Sequence, residues 1–199
     1  MRSIAIRIAV WTLLAVPGIW WLAGLVDGTA LPMDLLRPTG ELAVRLMILA
    51  MLPGPLVAAF GAGRLLRGWL VARRWFGLAS FGYGLLHLAT YATDVGALRP
   101  MIEELELPGI WTGWLAFLLL LPPAAISYDA AMRGLGRSWK RVQRLVYAAF
   151  ALGLAHWILL DWKWQPAAIH FAPLIIAWGL RGWRRGRSRA IRSTIAQGA

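Results

Sequence analysis

Gly136-Arg-Ser-Trp-Lys-Arg-Val-Gln-Arg-Leu-Val-Tyr-Ala-Ala-Phe-Ala-Leu-Gly-Leu-Ala-His156-Trp-Ile-Leu-Leu160 opens with a cluster of cations (Arg137, Lys140, Arg141, Arg144) and then turns apolar for about the length a helix needs to cross a bilayer. Near the far end of that run sits His156. An ionisable side chain inside a membrane span is costly, so it marks a function and calls for a partner. The matching stretch is Trp75-Phe-Gly-Leu-Ala-Ser-Phe-Gly-Tyr-Gly-Leu-Leu-His87-Leu-Ala-Thr-Tyr91, again an apolar run behind basic residues with a histidine near its end.

Similar runs recur along the 199 residues, 59% of which are hydrophobic. The reading is a single all-α integral membrane domain of six transmembrane helices, at about 8–26, 42–60, 75–93, 110–128, 143–160 and 167–183. A basic tail, 184–199, follows. The first run has the basic start and apolar middle of a signal peptide. Its length, and Trp20 and Trp21 at its far end, favour a retained helix. Pro53 and Pro55 are expected to bend the second helix, and Gly77, Gly82 and Gly84 to admit a close neighbour or a flat cofactor to the third.

The net charge of +12 would point to nucleic acid in a water-soluble chain. Here the cations gather at the N-terminus, in 64–74, in 129–144 and in the tail, while 27–41, 94–108 and 161–166 lack the excess. That alternation puts both termini in the cytoplasm and makes lipid, not nucleic acid, the contact. With no cysteine, disulfides, iron–sulfur clusters and thiolate metal sites are excluded. No carboxylate pair, nucleophile–base pair or phosphate loop stands out, so no catalytic residue is assigned.

His87 lies 13 residues beyond Arg74 and His156 lies 13 beyond Gln143. On two parallel helices that is one depth, roughly 20 Å from the cytoplasmic ends. Equal depth is the geometry for two axial ligands to one haem, so His87 and His156 are the candidate metal ligands. Two independent hydrogen bonds to neighbouring helices are the alternative. His170 is expected at the interface beside the site. Arg45 either snorkels to the interface or meets a haem propionate, which a guanidinium suits.

Thr39-Gly40 with Arg45 five positions on, Gly77-Leu78, Leu86-His87-Leu88-x-x-Tyr91, and Leu135-Gly136-Arg137-x-Trp139 leading to Leu145-Val146-Tyr147 and His156 resemble the MsrQ (YedZ) family of haem-binding membrane subunits. This family lies within the ferric-reductase-like transmembrane group. The resemblance covers nearly the whole chain. It implies a six-helix b-type cytochrome of the bacterial inner membrane that passes electrons from quinol, or from a cytoplasmic flavin reductase, to a periplasmic molybdopterin enzyme reducing oxidised methionines. His87 and His156 match family haem-ligand positions. Gln143 stands where the family usually has a further histidine, so an inner second haem is in doubt, glutamine being a poor iron ligand. FMN or quinone could bridge the gap, with Arg74, Arg141 and Arg144 as contacts. A stand-alone ferric or quinone reductase and a non-redox transporter or scaffold are the competing functions.

Overall fold

Every regular element is helical in the computed structural model, which describes residues 2–161 and 164–197, with side chains from 4 to 161 and from 164 to 187. The order is α1 (Arg2–Val26), α2 (Pro32–Met51), α3 (Pro53–Phe60), α4 (Arg64–Val95), α5 (Leu98–Glu103), a 3₁₀ turn (Glu104–Glu106), α6 (Pro108–Ala125), α7 (Asp129–Leu135), α8 (Arg137–Gln143), α9 (Leu145–Asp161) and α10 (Trp164–Gln197). Helix extends well beyond the apolar runs. α2 begins at Pro32, ten residues before the expected start, because proline suits the first turn, where no N–H is needed. The basic stretch 64–74 forms the first turns of the 32-residue α4, and much of the tail continues the 34-residue α10. Arginine is a good helix former, so charge at these places continues the helix and does not mark a loop. Trp162 and Lys163, in the expected turn after α9, lie outside the described residues.

Four segments among the described residues are long and apolar enough to cross a membrane: Ile4–Val26, Pro32–Phe60, Pro108–Ala125 and Arg137–Asp161. α4 is long enough, but Ser80, Tyr83, His87 and Thr90 interrupt its apolar half, and Ser80, Tyr83 and Thr90 are buried. Its polarity is turned into the bundle.

α2 packs against α4, and α6 against α9, as two close pairs. Stacked rings of Phe81 and Phe117, 5.4 Å apart, join the pairs through α4 and α6. α10 then seals α2, α3 and α9 over a core of Met47, Ile48, Leu52, Phe150, Phe171 and Leu174. Each proline frees the carbonyl four residues back, and side chains from other helices bond the backbone at or near these interruptions. Pro53 has no N–H for Leu49 O four residues back, and Trp69 Nε1 donates there at 2.9 Å. Below Pro122 and Pro123, the end of α6 receives Trp139 Nε1 on Ile126 O and Gln143 Nε2 on Pro123 O. In α1, where Pro17 interrupts the ladder, the Tyr83 hydroxyl accepts from Gly18 N–H at 3.0 Å and donates to Leu14 O at 2.6 Å.

Candidate functional site

His87 comes from α4 and His156 from α9, so each of the two helix pairs contributes one ring. The ring centroids are 6.0 Å apart and the planes meet at 85°. Each ring is tied to its own pair through Nδ1. His87 Nδ1 is 2.9 Å from Leu36 O on α2, and His156 Nδ1 is 2.6 Å from Gly109 O on α6. A carbonyl only accepts, so Nδ1 carries the proton in both rings and Nε2 keeps its lone pair. Two imidazoles whose Nε2 lone pairs are not spent on those carbonyls, meeting between two helix pairs, have the chemistry to ligate a metal.

The spacing selects the kind of metal group. A ring nitrogen lies about 1 Å from its centroid and a metal–imidazole bond is about 2 Å, so two axial imidazoles on one metal stand about 6 Å apart. The observed 6.0 Å meets this requirement. Among the described residues no third His, Cys, Asp or Glu joins them into a cluster that could enclose a bare ion. Two imidazoles at this separation, with no further ligand beside them among the described residues, suit an iron that would already be held in a macrocycle, so the residues fit haem.

The other sequence candidates fall elsewhere. His170 has both nitrogens engaged: Nε2 accepts from Arg45 Nε at 2.9 Å, and Nδ1 is 2.7 Å from Pro166 O, one turn back in α10. It packs on Trp157 with centroids 5.0 Å apart. Arg45 also pairs with Glu41 at 2.6 Å, and Arg37 bonds the same carboxylate at 3.0 Å. Arg45 thus joins α2 to α10 and is hydrogen-bonded to neither His87 nor His156. Arg74 pairs with Asp129, tying α4 to α7, and its guanidinium holds the Asp129 carboxyl below the ordinary carboxylate range. Gln143 donates to Pro123 O at 3.0 Å and lies 3.2 Å from Ser127 Oγ, so its amide caps α6.

The sequence reading missed what lies behind the rings. A Cβ on Gly40 would stand 3.1 Å from His87 Nδ1, and one on Gly113 would stand 2.5 Å from His156 Nδ1. One turn from Gly113, a Cβ on Gly109 would meet Leu160 Cδ2 at 2.6 Å. His156 and Leu160, four apart on α9, therefore lie on Gly113 and Gly109, four apart on α6. The signal was present as Gly109-Ile-Trp-Thr-Gly113, the spacing that lets membrane helices approach closely.

Nearer the other end of α9 a cavity of about 560 Å³ opens between α9 and α10, lined by Tyr147, Phe150, Leu154, Ile175, Trp178 and Arg181 among others. The Arg181 Nε is buried there without a hydrogen-bond partner.

The ferric reductase like transmembrane component family model matches residues 39–154, a span that includes His87 and ends two residues before His156. Several relatives bear the name protein-methionine-sulfoxide reductase heme-binding subunit MsrQ. The one from Ralstonia nicotianae is 34% identical over 210 residues, covering 98% of this chain and 92% of the relative. The Xanthomonas oryzae pv. oryzae protein is 35% identical over 166 residues (80% and 74%), and that of Azospira oryzae 35% over 195 (90% and 78%). No solved structure matches the chain.

Proposed function

The chain belongs to the MsrQ family, within the ferric-reductase-like transmembrane group, and we propose that it is a b-type cytochrome subunit that hands electrons to a protein-methionine-sulfoxide reductase. The observation that carries this reading is the His87–His156 pair, 6.0 Å apart with both Nδ1 atoms committed to backbone carbonyls. When bound, the haem supplies one-electron exchange at iron. The chain's own part is to present two neutral imidazoles in one tautomer, on two helix pairs.

One haem per chain follows from the histidine inventory. The sequence has three histidines, and the third, His170, has no free ring nitrogen. Gln143 is spent on capping α6. An inner bis-histidine haem has no ligands left, so the donor must bring its own redox group. The cavity between α9 and α10 supports this donor side: it reaches Leu154, two residues from His156, and it offers aromatic walls and a buried guanidinium N–H to a flat ring bearing an acceptor oxygen. Quinol and the FMN of a flavin reductase both have that chemistry.

We place α4 and α10 across the membrane with the four apolar segments, six spans in all, with both termini on the cytoplasmic side of the bacterial inner membrane. The cations at 64–74, at 129–144 and in the tail support that orientation. The partner is then a periplasmic molybdopterin enzyme, which carries out the substrate chemistry.

The test is a dithionite-reduced-minus-oxidised visible spectrum of the purified protein, with haem quantified per chain. A b-type spectrum at about one haem per chain is expected from the single histidine pair. No haem after reconstitution would overturn the reading, and two would require a ligand other than histidine.

A further inference from the structure

Both candidate ligands rest on the same short element, used once in each helix pair. In a helix the Cα–Cβ bond tilts toward the N-terminus, so the side chain at i+4 hangs over the carbonyl of residue i. Gly40 leaves Leu36 O uncovered, and Gly113 leaves Gly109 O uncovered; these are the two carbonyls that the imidazoles reach. A buried threonine precedes each glycine. Thr39 Oγ1 lies 2.6 Å from Leu35 O and 3.1 Å from Leu36 O, and Thr112 Oγ1 lies 2.7 Å from Pro108 O and 2.9 Å from Gly109 O.

A hydroxyl has one proton to give. In each copy its nearer acceptor is the carbonyl four residues back, Leu35 O or Pro108 O, but the carbonyl that accepts the imidazole N–H also lies within its reach, and Thr39 Oγ1 is itself 3.3 Å from His87 Nδ1. When the hydroxyl turns to Leu36 O or Gly109 O, it shares that acceptor with the histidine and weakens the imidazole's hold on it. The more of the carbonyl the imidazole receives, the more electron density it passes through Nε2 to a metal, and the more the oxidised metal is favoured. The copies are unequal. His156 has the shorter bond, 2.6 against 2.9 Å, and the closer glycine, 2.5 against 3.1 Å for the added Cβ.

We propose that Thr39-Gly40 and Thr112-Gly113 are positioning elements that set the reduction potential of the haem through Nδ1 of its two ligands, with the Thr112-Gly113 copy dominant. The proposal rests on the haem reading above.

The experiment is a redox titration of the holo-protein in detergent for Thr112→Val, Thr112→Ser, Thr39→Val and Gly113→Ala, with haem content and the low-spin spectrum recorded alongside. Removing the Thr112 hydroxyl leaves Gly109 O to the imidazole, so Thr112→Val lowers the potential. The expected size is a roughly tenfold change in the ferric-to-ferrous preference, about 59 mV for one electron. Thr112→Ser keeps the wild-type value, and Thr39→Val shifts it in the same direction by less. Gly113→Ala displaces the ring and weakens haem retention by roughly 10- to 100-fold.

Wild-type potentials in Thr112→Val with full haem would overturn the proposal, as would equal shifts in the valine and serine variants, since a packing role would not tell them apart. Full haem with an unchanged spectrum in Gly113→Ala would also overturn it. If Gly113→Ala does not fold, the near-isosteric threonine variants decide. A wild-type protein without haem would defeat the haem reading itself, a different outcome from haem that ignores these residues.

Discussion

Arg45 donates from Nε to Nε2 of His170 across 125 positions of sequence, fastening α2 to α10. The guanidinium also pairs with Glu41, so two of its nitrogens are committed to holding helices together. Arg45→Leu is expected to lower stability in detergent by about 1 kcal/mol, the size of a partly exposed charge-assisted hydrogen bond, with haem per chain unchanged. Thermal unfolding followed beside the haem spectrum checks it. Loss of haem without loss of stability would return Arg45 to a propionate role.

His87→Ala and His156→Ala should each remove essentially all low-spin haem, and the double variant should be no worse than either alone. Residues that act as one unit are not additive in this way. Pyridine haemochrome quantification on matched membrane preparations gives the answer; half retention in either single variant would mean two independent histidines.

Tyr83→Phe removes the hydroxyl that joins Gly18 N–H and Leu14 O, and so frees α1 from α4 where Pro17 interrupts its ladder. A loss of about 1–2 kcal/mol in local stability is expected, confined to residues around 14–18. Hydrogen exchange by mass spectrometry should show faster exchange in that peptide, with little change at His87 one turn further along α4.

The Arg74–Asp129 pair carries a pH signature. The arginine lowers the folded-state pKa of Asp129 below its ordinary value of 3.8, so the pair stabilises above that value. The contribution disappears as pH falls through the lowered folded-state pKa. Asp129→Asn should therefore flatten the acid limb of the stability profile below about pH 4 and leave the neutral-pH spectrum unchanged. The pair is exposed, so the effect should shrink in high salt.

The all-helical fold was legible because apolar runs, proline positions and cation clusters are side-chain signals. The meeting of His87 with His156 was legible because equal spacing from two basic edges sets equal depth. Helix ends were harder. Pro32, Arg64 and the arginines after Arg181 punctuate the hydropathy pattern without breaking the backbone, so helices run past their apolar cores. Leu36 and Gly109 escaped notice for a deeper reason: they act through carbonyls, which no residue type announces. Gln143 shows the converse, a side chain weighed in the sequence as a position where a ligand is missing, whose amide caps the end of α6, a partner that spacing does not announce.

The division of the paired histidines between two helix pairs also bears on how the protein is made. His87 belongs to α2–α4 and His156 to α6–α9, so, on the haem reading proposed above, a nascent chain ending before α9 holds half a centre however well its first helices have packed. Cofactor capture then waits for the last part of the chain to be inserted and docked, and colour in the membrane reports completed assembly instead of mere synthesis.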